Sequence, residues 1–156
     1  MKLNNIKKIF RSRYKYLSTP NADIVIFDAE SHNFLLPLIP DSMRYFVLES
    51  RVEVIYFNLH IIIKGIYHSI VSRSLIVGYF SAVFNYLQPK IVITYIDNGK
   101  MFYWVSRYYK DCSFLAIQNA SRFDIRNTSK ERASDIFLPF FACFGNYEVD
   151  LYTDKG

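Results

Sequence analysis

The acids, amides and the histidine that could act on a hydroxyl group stand in short clusters, each directly after a β-rich apolar run. Asp28, Glu30 and His32 follow Ala22–Phe27 within one turn. A carboxylate there can accept a proton from a sugar or other hydroxyl, while a neighbouring imidazole orients or shares it. Glu30 is therefore one of two candidate catalytic residues, with Asp28 and His32 as substrate-binding candidates. The second is Asp97, which with Asn98 and Gly99 follows Ile91–Ile96.

Glu49 and Arg51 follow Tyr45–Leu48 and offer a polar clamp on a substrate. Past Phe114–Ile117, Gln118 and Asn119 bring two amides suited to sugar hydroxyls. Arg122 adds a guanidinium suited to a carboxylate or phosphate. A fifth run, Phe140–Phe144, ends in Gly145-Asn146. Each cluster has a structural alternative. Asp28, Ser31 or Asn33 can cap a helix, Asn98-Gly99 suits a left-handed turn with Asp97 or Asn98 capping the helix after it, and Glu49 with Arg51 can form an exposed ion pair. The aromatic segment Met101-Phe102-Tyr103-Trp104 with Tyr108-Tyr109 reads as helix core before it reads as a sugar-stacking platform.

Such clusters act together only if the strands before them lie side by side in one direction. The runs are rich in β-branched residues and continuous rather than alternating, as expected for strands with both faces covered. Between them the pattern turns helical: a short helix around Asn33–Leu36, two helices over Leu59–Leu87 meeting near Gly65 or Ser72 and stopping at Gln88-Pro89, and one over Lys100–Lys110. A less certain strand covers Val52–Phe57. Alternating strands and helices predict an α/β fold, a Rossmann-like, mostly parallel sheet with helices on both faces. Ligands of such sheets bind outside the carboxyl ends of the strands.

The chain has 156 residues, the length of one ordinary domain, and a formal charge of +5. Lys2, Lys7, Lys8, Arg11, Arg13 and Lys15 all precede the first acid, Asp23, and the remaining thirteen basic side chains face fourteen acids. The basicity belongs to an arm, residues 1–21. That excludes a broad nucleic-acid footprint and permits contact with anionic lipid or an acidic partner. Within the arm Leu3, Ile6, Phe10, Tyr14 and Leu17 fall on one helical stripe, which predicts a basic amphipathic helix over residues 3–17. A polar stretch from Ser121 to Asp135 is too long for a mere connection.

Several chemistries find no support. There is no Gly-x-Gly-x-x-Gly, no phosphate-binding Gly-x-x-x-x-Gly-Lys-Ser/Thr and no Gly-x-Ser-x-Gly elbow. His32, His60 and His68 lack zinc-ligand spacing, and Cys112 and Cys143 form no metal or redox motif, so neither a metal nor a cofactor is expected. Reduced cysteines and the lack of an apolar leader or spanning run point to a cytoplasmic chain, with peripheral contact at the inner face of the membrane open to the basic arm.

Ala22–Glu30, Pro89–Asn98 with the aromatic helix after it, Phe114–Asn119 with Arg122, and Phe141–Tyr147 leading to Asp150–Tyr152 together resemble the bacterial surface-carbohydrate (O-antigen and capsule) biosynthesis transferases of GT-B-like architecture. Ala120 departs from the glycine expected after Gln-Asn. The resemblance implies that residues 22–156 are the acceptor-side, amino-terminal half of a two-domain glycosyltransferase. A second Rossmann-like domain would bind most of the sugar nucleotide, and the glycan acceptor would meet this half. A helix starting at Tyr147 meets Thr153-Asp-Lys-Gly156, which reads as interruption; the chain alone is then expected to be inactive. A non-catalytic α/β binding or interaction module is the alternative.

Overall fold

The computed structural model describes residues 12–29, 32–50, 54–96, 99–119, 140–146 and 149. Among the described residues seven short strands run in chain order: β1 (Arg13–Tyr16), β2 (Ile24–Phe27), β3 (Tyr45–Leu48), β4 (Val54–Phe57), β5 (Ile91–Thr94), β6 (Ser113–Ile117) and β7 (Phe140–Ala142). The helices are α1 (His32–Leu35), continued by a 3-10 turn over Leu36–Leu38, α2 (Leu59–Ser72), α3 (Leu75–Leu87) and α4 (Lys100–Tyr108). Five strands form one all-parallel sheet in the order β3-β2-β5-β6-β7, and β1 pairs in parallel with β4 in a separate two-stranded sheet. The α/β class read from the runs is the observed one.

Every residue of β2 is buried, as its continuous Ile-Val-Ile-Phe run requires of a strand covered on both faces. Val25 and Phe27 point into the main core, where Phe27 meets Phe80, Phe84 and Phe102. Val92, Phe114 and Ala116 join the same core from β5 and β6, while Ile91, Ile93, Leu115 and Ile117 alternate onto the other face and stay half-buried. The helices on the core face are α3 and α4. Right-handed crossovers then put the β2–β3 connection, with α1, on the opposite face, because it runs across the sheet the other way.

α3 buries eight residues; α2 buries only Ile61. The two helices run antiparallel, with His60 Nε2 2.9 Å from Asn85 Oδ1 at one end and Ser69 against Gly78 at the other. A Cβ on Gly78 would overlap the side chain and backbone of Ser69, so this crossing needs glycine. Asn58 caps α2 through Oδ1, which accepts from the Ile61 N–H at 2.8 Å, and its Nδ2 donates to the Leu17 carbonyl at 2.9 Å. Ser74 caps α3. The break between them falls at Arg73, in left-handed conformation, next to the predicted Ser72 and eight residues past the other candidate, Gly65.

Two expectations are corrected. Residues 13–16 are a strand, where the stripe through Tyr14 and Leu17 predicted helix. Arg13, Tyr14, Lys15 and Tyr16 also alternate with period two, and tyrosine suits a pleated surface, so pairing with β4 wins over the helical reading. The N-cap of α4 is Gly99 at φ −77°, so the glycine does not take the left-handed conformation; Asp97 and Asn98 lie outside the described residues. The stretch 121–135 and residues 1–11 lie outside the described residues, as does most of the segment read as a closing helix; there the Val149 N–H donates to the Gly145 carbonyl at 3.2 Å.

Candidate functional site

In the main sheet the first strand in sequence, β2, is flanked by β3 on one side and β5 on the other. The chain order reverses there, so the connections leaving β2 and β5 diverge to opposite faces and open a crevice at their carboxyl ends. The switch point therefore lies past Phe27 and Thr94. Those are the ends of the two runs followed by the sequence's catalytic candidates.

At the β2 end the Asp28 N–H donates to the Leu48 carbonyl at 2.9 Å, extending the ladder by one residue. Asp28 itself has φ 89°, a region that short polar side chains tolerate better than most. The turn throws the chain out of the sheet into α1. His32, at the first position of that helix, places Nδ1 2.6 Å from the Ala29 carbonyl oxygen. A carbonyl only accepts, so Nδ1 carries the hydrogen; in the neutral ring Nε2 is then the nitrogen able to take a proton.

Across the switch point Thr94, fully buried, accepts the Ile96 N–H on Oγ1 at 3.1 Å and bends the chain after β5. The next residue, Tyr95, stacks on Phe34 of α1, with ring centres 5.7 Å apart and planes 25° from parallel. Phe34 is 68% exposed. The two loops that flank the crevice are thus joined by an aromatic pair with an open ring, a surface on which the apolar face of a sugar or a base can stack. The aromatic segment Met101–Trp104, read from the sequence as helix core before a stacking platform, does put Phe102 and Tyr103 in the core. The signal for the observed pair was position: an aromatic beside each strand-end cluster, Tyr95 two residues before Asp97 and Phe34 two residues after His32.

Two other candidates are engaged in holding the fold. Glu49 accepts from Lys15 Nζ at 2.8 Å and from the Tyr56 hydroxyl at 3.4 Å, tying the end of β3 to β1 and β4. The lysine bond holds its carboxyl below the usual range. Gln118 is fully buried, and its Oε1 accepts the Phe144 N–H at 3.2 Å, fixing the chain after β7. Asn119 is exposed at the same edge. Asp28, His32 and Asn119 thus stand where the sequence placed them, at strand exits. Glu30, Arg51, Asp97, Asn98 and Arg122 lie outside the described residues.

The amino edge of the sheet is built differently. Asp23 accepts from Lys90 Nζ at 2.9 Å and from the Arg44 backbone N–H at 3.1 Å and Nε at 3.3 Å. These donors, Lys90 foremost, pull its carboxyl down to about 2. Among the described residues no group of three His, Cys, Asp or Glu side chains is placed to hold a metal ion, and no helix is long and apolar enough to cross a membrane. No protein-family model, no curated protein and no solved structure matches the chain.

Proposed function

We propose that this chain forms the acceptor-side wall of a glycosyltransferase cleft for bacterial surface polysaccharide, O-antigen or capsule, and acts on the cytoplasmic side of the membrane. The observation that carries this reading is the switch point, where Asp28, His32 with Nδ1 held by the Ala29 carbonyl, and the Phe34–Tyr95 aromatic pair all follow the carboxyl ends of β2 and β5. Sugar recognition uses that combination: stacking on the apolar face of the ring, and polar groups for its hydroxyls. In the reaction a base takes the proton of an acceptor hydroxyl. The freed oxygen bonds to the anomeric carbon of the donor, and the bond to the nucleotide phosphate breaks. Glu30 or Asp97 is the proposed base; Asp28, His32 and Asn119 position the acceptor. The sugar nucleotide would be held largely by a second Rossmann-like domain, as the resemblance implies.

The test is transfer from a panel of sugar nucleotides to oligosaccharide acceptors, followed by mass spectrometry, with the chain alone and with a candidate second domain supplied in trans. Glu30→Gln or Asp97→Asn should lower the rate about a hundredfold or more. Full activity in both variants would refute the assignment of the base. The alternative, a binding module without catalysis, is favoured by one observation: Glu49 and Gln118 are committed to structural hydrogen bonds. Acceptor binding with no transfer under any arrangement would select it.

A further inference from the structure

The apolar stripe of α2 faces outward. Leu59, Ile62, Ile63, Ile66, Ile70 and Val71 recur at intervals of three and four along the helix, the spacing of a buried face, yet all are exposed, Leu59 and Ile70 at 73%. α3 takes only the other side of α2, around Ile61, Gly65 and Ser69. An uncovered stripe of this length exceeds the scattered apolar residues normal at a surface and marks a site of contact.

Charge decides what it meets. From Val54 to Ile96 the sequence contains no Asp or Glu, while Lys64 and Arg73 are exposed beside the stripe. A second copy docked on the same face would bring like charges together with no acid on α2 or α3 to pair them. Tyrosines extend the band, as at membrane interfaces: Tyr67 stands in it, and Tyr14 and Tyr16 pack edge-on against Phe57, two residues before Leu59. We propose that α2 is a docking face for an anionic lipid surface: its isoleucines enter the boundary between headgroups and acyl chains, and Lys64 and Arg73 meet lipid phosphates. The contact belongs to α2, on the side of α3 away from the sheet, and does not depend on the chemistry of the crevice.

The experiment is cosedimentation of the full chain with vesicles of phosphatidylcholine and phosphatidylglycerol in equal parts, beside phosphatidylcholine alone, with the oligomeric state followed by sedimentation velocity. The wild-type chain should bind the mixed vesicles and only weakly the neutral ones. Ile62→Ser/Ile66→Ser/Ile70→Ser should lower partitioning roughly a hundredfold while the thermal melt is kept, because the three side chains are exposed in the fold. Lys64→Glu, which removes no apolar contact, should lower it about tenfold and decides the matter should the triple variant not fold. No binding to the mixed vesicles, equal binding to both kinds, or binding unchanged in either variant overturns the proposal. So does a dimer that the triple variant dissociates while vesicles are ignored.

Discussion

The two edges of the five-stranded sheet are made from the same kinds of residue and put to opposite use. At the amino edge Asp23 is enclosed by Lys90 and Arg44, and the backbone closes around it, with the Lys90 N–H donating to the Asp23 carbonyl at 2.9 Å and the Asp23 N–H to the Arg44 carbonyl at 2.8 Å. At the carboxyl edge an aspartate stands at positive φ, a histidine keeps a proton-accepting nitrogen and an aromatic ring lies open. Charge at the first edge is spent on stability. At the second, Asp28 holds a φ of 89° and Phe34 presents an exposed ring, as expected where a ligand binds. One lesson follows for open parallel sheets: an acid enclosed by cations at the amino edge is not the acid to suspect of chemistry.

The largest effect should strike both edges together. Phe84 is fully buried against Phe27, Tyr109 and Phe114. Phe84→Ala should cost about 3–5 kcal/mol in denaturant unfolding. If it left stability intact while abolishing ligand binding, the two edges would not share a core. Next, Gln118→Leu leaves the Phe144 N–H without its acceptor and should cost about 1–2 kcal/mol. A change in acceptor affinity with no loss of stability would return Gln118 to the binding site.

The amino edge has a pH signature. The Asp23 carboxyl is lowered in the folded chain, from near 3.8 to about 2, so its contribution is complete above the higher value and is lost as pH falls through the lower. Thermal melts between pH 5 and pH 2 should therefore show a steeper loss for the wild-type chain than for Asp23→Asn. Parallel curves would remove the amino edge's claim to a stabilising ion cluster. The smallest effect has the opposite sign. Asp28→Gly relieves the φ of 89° and should raise stability by up to about 1 kcal/mol while weakening acceptor binding. Loss of both would make Asp28 structural.

Much of the sheet was legible because β2 and β5 are fed by continuous β-branched runs and β6 by a continuous apolar one, each with an abrupt polar end, and strand ends in a parallel sheet need no partner information to be read. The break was legible only as one of two sites, Gly65 or Ser72; it falls beside Ser72, at Arg73, because Ser74 caps α3. β1 was not legible. Tyr14 fits a helical stripe with Leu17 and a strand alternation with Tyr16, and only pairing with β4, some forty residues later, decides between them. The fate of Glu49 was hidden in the same way, since Lys15 reaches it from the other sheet. Nor could periodicity tell that α2 turns its stripe outward, because α3 is as apolar and competes for the same core.

The claim on which the functional account rests is that ligand is taken at the carboxyl edge between β2 and β5. A titration of the isotope-labelled chain with a panel of hexose and N-acetylhexosamine disaccharides, followed by amide NMR shifts, tests it directly. The account predicts shifts confined to Asp28, His32, Phe34, Tyr95 and their neighbours, with Asp23, Arg44 and Lys90 unmoved. Shifts centred on the Asp23 cluster, or none at the switch point with any saccharide, would contradict it.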